Sequence, residues 1–111
     1  MPVQNIIPVL PSSDLARDVA LWSSLLGVAP TFIDGDRWAQ FDLGPRRLAL
    51  SGSDRISDLA GVMLKVDDLD ATRATAERAG LSVSAIQQGP HERRCVAVGS
   101  DGAPIILYAA L

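Results

Sequence analysis

Ile6-Ile7-Pro8-Val9-Leu10-Pro11-Ser12-Ser13-Asp14-Leu15 and Ala60-Gly61-Val62-Met63-Leu64-Lys65-Val66-Asp67-Asp68-Leu69 stand 54 residues apart and share one pattern. Each is an apolar run, then a polar step, then Asp-Leu. The segments that follow correspond as well. Leu25-Leu26-Gly27 falls near Arg78-Ala79-Gly80 with one residue dropped, and Phe41-Asp42-Leu43-Gly44 matches Val96-Ala97-Val98-Gly99. Leu48-Ala49-Leu50 matches Ile105-Ile106-Leu107 once two further residues are inserted. Self-similarity at a fixed spacing is read before any single element. Here each half reads strand, helix, strand, strand, strand: module one over about 1–54 and module two over about 60–111, together one domain spanning 1–111.

The helices carry start and stop signals. Asp14 and Asp68 each follow a strand pattern and precede a helical one, where a side-chain carboxylate accepts the free N–H groups of the first turn. Leu15, Val19, Trp22 and Leu26 recur at helical spacing and form one apolar stripe. Gly27 supplies the left-handed position that ends the helix, and Pro30 prevents continuation. The second helix is alanine-rich and is expected from Leu69 to Ala79, stopping at Gly80.

The strands alternate with period two. Ile6, Leu10, Leu48, Leu50, Val62, Leu64, Val66, Ile105 and Leu107 form an aliphatic set expected to face the helices. The opposite parity is mixed: Asn5, Ile7, Val9, Trp38, Gln40, Asp42, Arg47, Ala49, Ser51, Met63, Lys65, Ile106 and Tyr108. Two aromatic rings among hydrogen-bonding groups suit a small-molecule cleft. They equally suit a dimer interface, and the two readings coexist.

Composition sets the bounds. The chain has 111 residues, with 48% apolar and 21% charged side chains, which is ordinary for a soluble globular domain that folds without a disulfide or metal. No apolar run reaches membrane-spanning length, and the start, Met1-Pro2-Val3-Gln4-Asn5, lacks the basic segment of a signal peptide. The net charge of −3 lacks the basic excess of nucleic-acid binders. A single cysteine, Cys95, excludes an internal disulfide and a cysteine-rich zinc site. A reducing cytoplasm is the expected location.

The twofold strand–helix–three-strand pattern resembles the vicinal oxygen chelate superfamily, which includes glyoxalase I, extradiol dioxygenases, and fosfomycin- and bleomycin-resistance proteins. The resemblance covers about residues 5–109, with boundaries set by strand ends. Its best local matches are Pro8 to Leu15, then Ala20-Leu21-Trp22-Ser23-Ser24-Leu25-Leu26-Gly27-Val28, and the closing Gly99-Ser100-Asp101-Gly102-Ala103-Pro104-Ile105-Ile106-Leu107. Trp22-Ser23 stands where the family often has Phe-Tyr. The resemblance implies an α+β fold of two tandem βαβββ modules. They would form an eight-stranded, incompletely closed, barrel-like cleft with the helices on the convex face.

The resemblance also implies where a metal would be held: by a residue seven positions before each capping Asp and by one on the last strand of each module. In this sequence those positions are Ile7, Gly61, Ala49 and Ile106, none of which offers an imidazole or oxygen side chain. A slip of one residue in either direction brings only further aliphatic residues, an alanine or a proline. No metal and no cofactor are expected.

Ligand-binding candidates on the cleft parity are Trp38, Gln40, Asp42, Arg47, Met63 and Tyr108. Trp38 and Tyr108 offer stacking faces. Asp42 and Arg47 either pair with each other or meet a ligand, Asp42 suiting a cation and Arg47 an anion. His91, the sole histidine, lies in a turn-rich stretch and is either a general base or a plain loop residue. Cys95 is either a thiolate activated by Arg93 and Arg94 or a small buried residue. Catalytic residues are not assigned. The expected function is metal-independent binding or sequestration of a small, aromatic molecule, as in the bleomycin-resistance branch. The alternative is a glyoxalase-like lyase, isomerase or epimerase using acid–base chemistry in the same cleft. A regulatory or assembly domain without a ligand is a third reading. The expected partners are that small molecule and a second copy of the chain, since Pro8 and Pro11 bracket a first strand suited to exchange between protomers. Neither nucleic acid nor membrane is expected.

Overall fold

The computed structural model describes residues 3–111. Among them are two helices and nine strands with mixed parallel and antiparallel pairing, an α+β architecture. The described part contains no helix long and apolar enough to cross a membrane. The chain divides into two compact units, one from Ile7 to Ala60 and the other from Gly61 to Leu111 together with the residues up to Ile6.

In the Ile7–Ala60 unit the elements are the end of β1 (Val3–Pro11), α1 (Leu15–Leu26), β2 (Phe32–Asp34), β3 (Trp38–Leu43) and β4 (Arg46–Ser51). The strand order is β2-β3-β4-β1, antiparallel except for the parallel β4–β1 pair. β3 and β4 close through Gly44-Pro45, with Leu43 paired to Arg46. Gly44 has φ of 64°, and proline holds the next φ negative, the combination of a type II′ hairpin turn. Asp14 caps α1 by accepting from the Arg17 N–H at 3.1 Å, and Gly27 ends it with φ of 75°. Leu15, Ala39, Phe41 and Leu50 form the core under α1, with Leu10, Val19, Trp22, Leu26 and Leu48 packed around them. The apolar stripe of the helix and the Leu10, Leu48 and Leu50 parity are therefore as expected.

In the other unit β5 (Gly61–Val66) pairs in parallel with β9 (Pro104–Ala110), and β9 pairs antiparallel with β8 (Glu92–Val98). Two short strands, β6 (Ser82–Val83) and β7 (Gln87–Gln88), both pair with β8, where the periodicity predicted a single strand. The count is thus nine strands rather than eight. Two-residue strands are too short to show alternation, so sequence pattern does not separate them. Helix α2 (Leu69–Arg78) is capped by Asp68, which accepts from the Ala71 N–H at 3.0 Å. Its core joins Val66, Leu69, Ala76, Cys95, Ala97, Leu107 and Ala109.

One expected burial is corrected. Ile6 is 61% exposed, whereas Ile7 and Val9 are buried. Ala49, Ser51 and Ile106, also of the mixed parity, are buried too. Ile6 shares the parity of Leu10, and what departs from expectation is its exposure four residues before the Leu10–Leu50 pair: alternation sets which side a residue faces, not whether that side is covered there.

Candidate functional site

Trp38, Gln40 and Asp42 occupy alternate positions of β3 and project to the side opposite Ala39 and Phe41, which are buried in the α1 core. β4 presents the facing row, with Ser51 opposite Trp38, Ala49 opposite Gln40 and Arg47 opposite Asp42. Four of the six predicted ligand-binding residues are thus brought together, all partly buried. The hydrogen bond from Gln40 Nε2 to Asp42 Oδ1, at 3.0 Å, shows the two side chains leaning together along the strand. Arg47 Nε lies 3.6 Å from that same Oδ1 atom, an ion pair too long for a hydrogen bond. Nε is buried and has no hydrogen-bond partner, while the side chain as a whole keeps 34% of its surface accessible. Asp42 thus accepts a hydrogen bond from Gln40 and meets Arg47 only as an ion pair.

Met63 and Tyr108 belong to the other unit. Met63 is paired with Ile106, and Tyr108 with Lys65 of β5 and with Arg94 of β8. The row Lys65–Tyr108–Arg94 sets a cationic side chain on each side of the phenol ring. Arg94 was missed as a member of this face because it was weighed only as a neighbour of Cys95. The β8–β9 register would have placed it, but that depends on the length of the Gly99–Ala103 turn.

The remaining candidates separate cleanly. His91 is exposed, and only its backbone carbonyl is engaged, accepting from the Leu111 N–H at 3.2 Å. Cys95 is buried under α2, and burial pushes its thiol up despite the nearby Arg73. Arg93 turns to Asp70 at 3.3 Å. A protonated, enclosed thiol is a packing residue, not an activated nucleophile. Away from the predicted residues, a surface depression is bordered by Ser12, Ser13, Asp14, Asp36, Ser53 and Arg55.

Metal-dependent proteins of the resembled superfamily would hold their ion at Ile7 and Ala49 in one unit and at Gly61 and Ile106 in the other. Ile7 and Ala49 are fully buried, and Ile106 is 6% exposed. A Cβ on Gly61 would stand 2.2 Å from the backbone carbonyl oxygen of Pro104, so this position has no space for any side chain. Among the described residues no group of three or more His, Cys, Asp or Glu comes together. The residues present do not fit a divalent ion.

Neither family profiles nor curated protein sequences match the chain. Solved structures do. The NAD-dependent benzaldehyde dehydrogenase structure from Legionella pneumophila superposes with a TM-score of 0.78 at 15% identity, over 96% of this chain and 99% of that one. A glyoxalase/bleomycin resistance protein/dioxygenase superfamily member from Vibrio splendidus 12B01 gives 0.73 at 11% identity, over 98% and 99%. The fold is glyoxalase-like. Methylmalonyl-CoA epimerase from Streptomyces coelicolor, as its S115T variant, shares it with a TM-score of 0.77 at 15% identity, over 98% of this chain and 95% of that one. The names of these proteins span different chemistries, so the likeness supports the resemblance read from the sequence at the level of fold.

Proposed function

We propose that the chain binds a small, flat aromatic molecule without a metal, in the manner of the bleomycin-resistance branch of the fold. The observation that carries this reading is the β3–β4 face, where Trp38 shares one surface with the Gln40–Asp42–Arg47 cluster. An apolar ring beside a few convergent polar groups is the composition of small-molecule sites. In this reading the two halves are tandem modules, Met63 and Tyr108 also serve binding, and the working unit is a cytoplasmic homodimer. A second reading, an acid–base lyase, isomerase or epimerase with Asp42 as the proton-transferring group, draws on the fold shared with methylmalonyl-CoA epimerase.

A thermal-shift panel of flat aromatic compounds bearing neutral, cationic and anionic substituents tests the binding reading. A ligand at 100 times its dissociation constant adds about 2.7 kcal/mol of stability. At least one member should raise the melting temperature of the wild type, and the Trp38→Ala variant, which should still fold, should lose most of that shift. A panel with no shift at millimolar concentration, or a shift untouched by Trp38→Ala, removes the site from this face.

A further inference from the structure

We infer that the ligand of the β3–β4 face is a monocarboxylate, an aromatic acid whose carboxylate is received by Arg47. The inference rests on the binding reading above and narrows its ligand class. Four observations converge on it. Arg47 Nε is buried with no hydrogen-bond partner, although the guanidinium carries five N–H donors and no acceptor. Its ion-pair partner stands at 3.6 Å, outside hydrogen-bond reach. That partner, Asp42 Oδ1, is already accepting from Gln40 Nε2 at 3.0 Å. The Arg47 side chain nevertheless keeps about a third of its surface open, and an incoming group would meet the guanidinium from that open side, Nε itself being covered.

A guanidinium in this state is a fork without its second prong. Planar carboxylates match it in bidentate fashion, with shorter and stronger bonds than a neutral carbonyl makes. Asp42 sets the charge limit. One negative charge beside the Arg47–Asp42 pair is tolerable, whereas a dianionic phosphate would meet the Asp42 carboxylate as a like charge. Arg47, facing Asp42, disfavours the opposite choice, a cationic ligand, by like-charge repulsion. Geometry sets the length. Trp38 and Asp42 are four residues apart on one strand, and at about 3.3 Å of rise per residue this is roughly 13 Å. The reach of the Arg47 side chain shortens that span, so a bicyclic ring with a directly attached acid bridges from the indole to the guanidinium. Ser51 and Ala49, buried opposite Trp38 and Gln40, make the β4 side of the ring end small and covered, while β2 sets Asp34 on its other side.

The experiment uses 2-naphthoate and 2-naphthamide, which share a ring and differ in charge, titrated by calorimetry against the wild type, Arg47→Met, Arg47→Lys and Trp38→Ala. The expected result is a wild-type preference for the acid of about tenfold or more, lost in Arg47→Met and partly restored in Arg47→Lys. Trp38→Ala should weaken both compounds. Equal wild-type affinity for the two compounds, with both weakened by Trp38→Ala, would overturn the inference about Arg47 and leave the aromatic site standing. A preference for the acid that survives in Arg47→Met overturns it too, since the carboxylate is then read elsewhere. Failure of both compounds to bind the wild type at millimolar concentration overturns the inference, and if the wider aromatic panel also fails, the binding reading falls with it.

Discussion

Replacing Arg47 by methionine should leave the protein as stable as before or make it more stable. Methionine keeps an unbranched stem of similar length and adapts to irregular surroundings, so the apolar packing of the side chain is largely retained. Removing the guanidinium relieves a buried, unpartnered N–H, a defect that costs about 1–3 kcal/mol in a typical interior. Against this stands the loss of the Arg47–Asp42 ion pair. At 3.6 Å and with both side chains about one-third exposed, that pair contributes about 0.2–1 kcal/mol. Asp42 keeps its hydrogen bond from Gln40, so it is not stranded. The balance is a gain of about 0–3 kcal/mol, which in a domain of this size moves the melting temperature by about 10 °C at its upper end. Urea melts of the wild type, Arg47→Met, Asp42→Asn and the double variant measure both the net effect and the coupling, which should not exceed about 1 kcal/mol. A loss of more than about 1 kcal/mol in Arg47→Met would refute the reasoning, because the guanidinium would then be supporting the fold rather than being held in place by it.

Two further outcomes follow from the geometry. The carboxyl of Asp18 is held below the usual carboxylate range by hydrogen bonds from Arg17 and from the buried Ser12 hydroxyl. Its contribution is therefore complete above the unfolded-chain value of about 3.9 and is lost as pH falls through the lower folded value. The stability gap between the wild type and Asp18→Asn should be constant near neutrality and close progressively in acid; a gap that does not depend on pH would count against the assignment. Gly61→Ala should destabilise by about 1–3 kcal/mol, since the added methyl meets the Pro104 backbone rather than a flexible side chain. An unchanged urea midpoint would mean that β5 and β9 have room at this position, and with it the argument against a side-chain metal ligand there would weaken.

What was legible in the sequence follows from the range over which each signal acts. Capping is local: Asp14, Asp68 and Gly27 do what their positions in the sequence required. The helix-facing parity of Leu10, Leu48, Leu50, Leu64 and Leu107 was legible because one buried face imposes alternation. Ile6 departs from that signal in burial only: it shares the parity of Leu10, yet alternation does not say how far along β1 the covered face extends. The membership of Trp38, Gln40, Asp42 and Arg47 in one surface was legible for a similar reason, because a two-residue hairpin turn at Gly44-Pro45 fixes which residues of β3 and β4 stand opposite. The hydrogen bond from Gln40 to Asp42 and the missing one from Arg47 were not legible. They depend on tenths of an ångström in side-chain placement, which no periodicity encodes.

The unpartnered Arg47 donor marks this face as a site rather than as a second core. A face that served packing alone would continue the burial of Ala49 and Ser51 along the whole length of β4. A face that served solubility alone would be charged throughout, with its ions exposed and satisfied by water. The β3–β4 surface does neither. It runs from the buried Ser51 and Ala49 beside Trp38 and Gln40 to a polar end where a buried guanidinium donor lacks an acceptor. Local agreement between sequence and fold breaks at Arg47 while the capped helix and the Phe41 core around it obey every expectation. Such isolated violations are where folds carry function at the expense of stability. An arginine whose removal leaves the protein no less stable, yet abolishes its preference for a carboxylate, would be one of them.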